Sequence, residues 1–126
     1  MKVLIIDDDS LIVDLLREKL SLEGFDIYSA HDGLSGLECM INESPDVILL
    51  DIMMPGLDGF EVCKKLKQSP STSSMPVIFI SACDTQEDID RAFALGADDY
   101  IVKPFDTLSI GRRIKEVFDR TRKSSG

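Results

Sequence analysis

The 126-residue sequence predicts an α/β fold: a single doubly wound five-stranded parallel sheet with helices on both faces. Two observations carry that expectation. Short apolar runs alternate with segments of helical period, as successive βα units do. Four of the runs also end on residues able to handle phosphate or metal: Val3 to Ile6 lead into Asp7 and Asp8, Val47 to Leu50 into Asp51, Val77 to Ile80 into Ser81, and Tyr100 to Val102 into Lys103. Strands buried on both faces read as continuous apolar runs, and open parallel sheets carry their chemistry outside the strands' carboxyl ends. The acids, the hydroxyl and the amine are therefore expected in one crevice.

Each element follows from local pattern. After the first strand, Ile12, Leu15, Leu16 and Leu20 recur at helical spacing, and Gly24 supplies a stop. Asp26 to Ala30 reads as strand two. Leu34, Leu37, Met40 and Ile41 mark a second helix that ends before Ser44-Pro45, because a residue preceding proline resists helical geometry. Strand three reaches Asp51. The turn-rich Met53-Met54-Pro55-Gly56-Leu57-Asp58-Gly59 then precedes a helix carrying Phe60, Cys63 and Leu66 on one side.

Gln68 to Met75 is a polar connector into strand four, after which Asp84 or Thr85 can cap a helix bearing Ile89, Ala92 and Phe93, with Gly96 as its stop. Strand five ends at Lys103-Pro104. Asp106 or Thr107 can cap a last helix whose stripe is Ile110, Ile114, Val117 and Phe118. Right-handed crossovers and a flavodoxin-like strand order 2-1-3-4-5 would put the switch point between strands one and three, where Asp7, Asp8 and Asp51 lie.

The composition suits one compact domain, with 44% apolar and 29% charged residues. No apolar run approaches the roughly 20 residues of a membrane span, and no basic segment precedes a long apolar one near the start, so no membrane association and a cytoplasmic location are expected. Cys39, Cys63 and Cys83 form no Cys-x-x-Cys pair and read as reduced, mostly buried thiols. A net charge of −9 disfavours direct nucleic-acid binding by this domain. Six basic residues between Arg112 and Lys123 form either a solvated helix face or a docking face. His31, the single histidine, reads as a surface loop residue.

Three crowded carboxylates repel one another unless a cation sits among them, and hard oxygen donors beside an anionic substrate suit Mg²⁺. An aspartate can also act as a nucleophile and form an acyl phosphate. Phosphoryl transfer needs in-line placement and charge neutralisation, which a metal, a lysine and a hydroxyl supply. Each residue alone has a plainer reading: Asp7-Asp8 as a helix-starting acidic pair, Asp51 as a turn residue, Ser81 as a cap, Lys103 as a solvated charge. Their recurrence at successive strand ends is what singles them out.

These residues resemble the receiver domain of two-component response regulators, and in particular the chemotaxis-regulator-like kind. The resemblance runs through Ile5-Ile6-Asp7-Asp8-Asp9, Leu49-Leu50-Asp51-Ile52-Met53-Met54-Pro55-Gly56-Leu57-Asp58-Gly59, Ile80-Ser81-Ala82 and Gly96-Ala97-Asp98-Asp99-Tyr100-Ile101-Val102-Lys103-Pro104-Phe105. It implies a receiver over residues 1–121 and a C-terminal tail or linker start over 122–126. Asp51 would be the phosphoacceptor, with Mg²⁺, or alternatively Mn²⁺, held by Asp8, Asp51 and the Met53 backbone carbonyl, and Asp7 acting largely through water. Lys103 would pair with the phosphoryl group and Ser81 would donate to it. Tyr100 looks like the family's switch aromatic, whose alternative reading is a half-buried strand aromatic, and Lys103-Pro104 resembles a bond usually cis in the family.

By the same resemblance the protein is a phosphoacceptor switch rather than an enzyme, although it supports its own Mg²⁺-dependent phosphorylation and dephosphorylation. A sensor histidine kinase or phosphotransfer protein would donate the phosphate, and an output domain or protein would read the surface of helix four, strand five and helix five. Asp98, Asp99, Arg112 and Arg113 resemble a surface through which many receivers form homodimers, although Ser109 stands where those often carry an acid. Met53 and Cys83 look like the positions flanking the path of the hydrolytic water.

Two rivals are a haloacid-dehalogenase-type phosphatase using Asp7-x-Asp9 and a degenerate receiver that acts only as an interaction module. The first has Leu11 where that family usually has Thr or Val, places Asp98-Asp99 before rather than after its lysine, and leaves Asp51 without a role. The second would not need Asp8, Asp51, Ser81 and Lys103 together. A flavodoxin proper would need hydroxyl and amide donors, where the loop after strand one is acidic.

Overall fold

The computed structural model describes the backbone of residues 1–125 and the side chains of residues 1–122. Five strands, β1 (Lys2–Ile6), β2 (Asp26–Ala30), β3 (Val47–Leu50), β4 (Val77–Ser81) and β5 (Asp99–Val102), alternate with α1 (Ser10–Leu22), α2 (Gly33–Glu43), α3 (Gly59–Gln68), α4 (Gln86–Ala94) and α5 (Thr107–Ser125). All strand pairs are parallel, in the order β2-β1-β3-β4-β5. This is the doubly wound, flavodoxin-like arrangement expected from the sequence. The strand order reverses at β1 and β3, whose carboxyl ends adjoin through the Ile6–Leu50 pairing.

Every residue of β3 and β4 is buried, so both faces of the sheet require cover. One face carries Leu4, Ile6, Ile48, Leu50 and Phe79 against Met40 of α2, Phe60, Val62, Cys63 and Leu66 of α3, and Ala92 of α4. The opposite face carries Val3, Ile5, Leu49 and Ile78 against Val13, Leu16 and Leu20 of α1 and Ile110, Ile114 and Val117 of α5. Alternation along each strand sends successive side chains into different clusters.

The helix ends follow local chemistry. Asp9, Asp32, Asp58 and Thr85 accept a backbone N–H at the starts of α1 to α4, and Asp58 forms a reciprocal capping box with Glu61. Asp106 precedes α5 and accepts the Leu108 N–H. The helix runs unbroken past residues 121 and 122, where the sequence suggests that the domain ends. Of the expected tail, Gly126 and the side chains of residues 123–126 lie outside the described residues.

Three helix faces differ from the hydrophobic pattern, one of them α4, where Ala92 is buried but Phe93 is 45% exposed. Leu15 is 46% exposed, and α1 packs through Val13, Leu16 and Leu20. In α2, Leu34 and Ile41 are 65% and 67% exposed, because that helix packs inward through Gly33, Gly36 and Met40. A Cβ on Gly36 would fall 2.5 Å from Ile6 Cδ1, so close approach to β1 is made by the smallest residue, which a count of large apolar residues overlooks. Among the thiols, all three are free as expected, but only Cys63 is fully buried.

Arginines meet both edge strands. Arg17 of α1 donates to the Ile27 carbonyl at 3.0 Å and to the Ser29 hydroxyl on β2. Arg113 of α5 forks onto Asp99 at 2.8 and 2.7 Å and donates to the Tyr100 carbonyl at 3.1 Å on β5. Asp98 turns instead to the Val77 N–H at 2.9 Å.

Gly59 is where the loop after β3 folds back. A Cβ there would sit 2.1 Å from the Asp51 carbonyl oxygen and 2.8 Å from Ile52 Cα. Gly59→Ala is expected to destabilise the protein by about 3 kcal/mol, the upper range for overpacking a site that must shift backbone. A urea unfolding midpoint unchanged from the parent would show that this loop yields freely.

Candidate functional site

The carboxyl ends of β1, β3 and β5 converge on one lysine. Lys103 Nζ donates to Asp7 Oδ2 at 2.9 Å and lies 3.4 Å from Asp51 Oδ2. Asp7 and Asp51 are 2% and 6% exposed, whereas Asp8 beside them faces solvent. Carboxylate oxygens of Asp7, Asp8 and Asp51 all lie within 4.8 Å of one another, an arrangement that could hold a metal ion. The chain keeps this cluster rigid: the second oxygen of Asp7 accepts the Asp9 N–H at 2.9 Å, and Asp51 Oδ1 accepts the Ile52 N–H at 2.8 Å.

Burial and the neighbouring Asp7 charge push the Asp51 carboxyl up to about 6, against the opposing pull of the Lys103 ammonium. Burial alone would lower the Lys103 pKa. The hydrogen bond to Asp7 and the charges of both carboxylates outweigh it and hold the ammonium above its ordinary value. One cation thus serves two buried acids, and the site retains an excess of negative charge.

Ser81, fully buried at the end of β4, accepts the Cys83 N–H at 3.1 Å. Tyr100 points inward: its ring stacks on Phe79, with centroids 6.0 Å apart and planes at 23°, and its hydroxyl donates to the Cys83 carbonyl. The backbone of Cys83 therefore joins Ser81 to Tyr100. Burial raises the Tyr100 pKa, which keeps the phenol protonated as a donor. The Lys103-Pro104 bond is cis, as the resemblance implies.

Met53 is 67% exposed and lines a cleft of about 480 Å³ together with Asp8, Phe60, Cys83, Asp88 and Arg91. The structure thus brings Asp7, Asp8, Asp51 and Lys103 together, with Ser81 linked to Tyr100 alongside. His31 is exposed just after β2. Sequence reasoning overlooked Asp9 as a local support. Its position just before a helical run is the signal of an N-cap.

A family model for the response regulator receiver domain matches residues 3–115. The chain belongs to this family. Among solved structures, the receiver is similar to a CheY-like response regulator receiver domain protein of Methanospirillum hungatei, at 30% identity and TM-score 0.90, covering 98% of this chain and 97% of that one. The receiver domain of Francisella response regulator 1452 is 36% identical with TM-score 0.88, over 95% and 98% of the two chains. Vibrio cholerae chemotaxis protein CheY4 is 28% identical with TM-score 0.87, over 92% and 97%. No helix among the described residues is long and apolar enough to cross a membrane.

Because the folded receiver raises the Asp51 pKa from an ordinary carboxylate value to about 6, the folded state binds that proton more tightly than the unfolded chain. This residue's contribution to stability therefore falls as pH rises from about 4 to about 6. Asp51→Asn keeps an acceptor for the Ile52 N–H and removes the charge. It should raise the thermal midpoint by several degrees at pH 7.5 without divalent ions, and by progressively less as pH is lowered through 6. A variant no more stable than the parent at pH 7.5 would contradict the repulsion.

Proposed function

We propose that the receiver is a phosphorylation-controlled switch: it accepts a phosphoryl group on Asp51 from the phosphohistidine of a sensor histidine kinase or phosphotransfer protein in the cytoplasm. The observation that carries this reading is the convergence of Asp51 with Asp7, Asp8 and Lys103 at the strand ends of a receiver fold. The donor set fits a hard divalent cation: oxygens only, two acids shielded from water, and more negative charge than one lysine neutralises. Asp8 and Asp51 with the Met53 backbone carbonyl would hold Mg²⁺, or Mn²⁺, and both oxygens of Asp7 already have partners, which suits contact through water.

An ion held there would supply charge neutralisation for the phosphoryl oxygens. An Asp51 carboxylate oxygen bonds to phosphorus as the donor's N–P bond breaks and the imidazole leaves. Lys103 exchanges part of its contact with Asp51 for the added phosphoryl charge, and the Ser81 hydroxyl donates its hydrogen to a phosphoryl oxygen. Movement of Ser81 pulls on the Cys83 backbone and so on Tyr100. The gain of about 1.5 to 2 negative charges thereby reaches the surface of α4, β5 and α5, which an output domain or protein reads. Asp99 and Arg113 are already paired within the chain, so a homodimer through this surface would rest on other contacts.

A small phosphodonor with Mg²⁺ should add one phosphoryl group, mapped by mass spectrometry to Asp51, lost in Asp51→Asn and retained in Asp7→Asn. Asp8→Ala should weaken Mg²⁺ binding at least ~10-fold. Acyl phosphate on Asp7 or Asp9 would instead favour phosphatase chemistry, and no incorporation at all would favour a pure interaction module.

Persistence of the phosphoryl group is a further expectation of this reading. A thioether and a thiol hold water weakly, and Met53 and Cys83 both line the cleft beside Asp8. Met53→Asn with Cys83→Glu should therefore accelerate loss of phosphate from Asp51. Unchanged or slower decay in the double variant would place control of the water elsewhere.

A further inference from the structure

Tyr100 is one end of a continuous series of ring contacts that runs through the core to Arg91 on α4. Its ring lies on Phe79, Phe79 meets Phe60 with centroids 5.8 Å apart and planes at 42°, and the Arg91 guanidinium sits over the Phe60 ring, 4.2 Å from its centroid. The four residues come from β5, β4, the first turn of α3 and α4. Phe79 is fully buried and Phe60 nearly so, whereas Arg91 is exposed. Packed rings cannot move independently at interior density, and a guanidinium on an aromatic face is held both by the ring quadrupole and by contact.

We infer that Arg91 and Phe60 are positioning residues for Tyr100, so that displacing the Arg91 guanidinium from the Phe60 ring shifts the placement of Tyr100. Arg91 acts as a weight on the other end of the stack. With its guanidinium seated on Phe60, Phe60 presses Phe79 against Tyr100, and the Tyr100 hydroxyl is delivered to the Cys83 carbonyl. Drawing the guanidinium away loosens Phe60 and lets Tyr100 sample other rotamers. Linkage makes the effect reciprocal: whatever moves Tyr100 alters how Arg91 presents itself beside Asp88, Met53 and Asp8 in the cleft. The use of this path for signalling rests on phosphorylation of Asp51, but the coupling is a property of the receiver alone.

The experiment therefore needs no phosphodonor. Tyr28→Phe leaves Tyr100 as the sole tyrosine, and fluorotyrosine incorporation then gives one ¹⁹F signal. Arg91→Ala and Arg91→Gln are expected to shift and broaden that signal, while Arg112→Ala, which removes an exposed ion pair with Glu116, leaves it unchanged. In a Phe60→Leu background, which keeps bulk but removes the ring face, Arg91→Ala should have no further effect on Tyr100. An unmoved signal in Arg91→Ala, an equal shift from Arg112→Ala, or an undiminished Arg91→Ala effect in the Phe60→Leu background would each overturn the inference. Adding Mg²⁺ and a small phosphodonor to the same samples separates the two claims: a failure to phosphorylate Asp51 leaves the Arg91-to-Tyr100 coupling standing, and the reverse holds as well.

Discussion

The structure turns on one ammonium shared by two buried carboxylates. Lys103 on the β5 end, Asp7 on the β1 end and Asp51 on the β3 end are held within hydrogen-bond or ion-pair distance, although they are far apart in sequence. Each charge is costly to bury alone, and a single cation does not fully offset two anions. That imbalance leaves Asp51 short of stabilisation as a carboxylate. The same imbalance leaves Asp7, Asp8 and Asp51 as an acidic cluster that could hold a metal ion.

The sheet supplies the rigidity that this arrangement requires. Both faces are sealed by separate apolar clusters, so strand ends do not drift relative to one another without disturbing a packed layer. Beyond β3, β4 and β5 the sheet gives way to loops that carry Met53, Cys83 and Pro104. Tyr100 bridges the two regimes, with its ring wedged on Phe79 and its hydroxyl on the loop at Cys83.

Much of the fold was legible in the sequence because fully buried parallel strands leave an unmistakable trace, as in Val47 to Leu50 and Val77 to Ile80, each followed by a polar residue. The site residues were legible for the same reason: strand ends dictate their location. Helix faces were less so. Leu15, Leu34 and Ile41 fit a helical period yet lie outside the packed face, since α1 has more apolar residues than one face can bury and α2 approaches the sheet through glycine. Arg91 over Phe60 was invisible, because it depends on how α3 and α4 lie against each other, which no local spacing encodes.

Arg17 and Arg113 reach the two edge strands from helices on the same side of the sheet. Each occupies a backbone carbonyl that an incoming extended chain would otherwise use, and each brings a positive charge to the border where such a chain would align. Recognition by strand addition is thereby discouraged at both margins. The faces left open to a docking protein are then helix surfaces and loop tips, apart from the hydrogen-bonded ladder of the sheet.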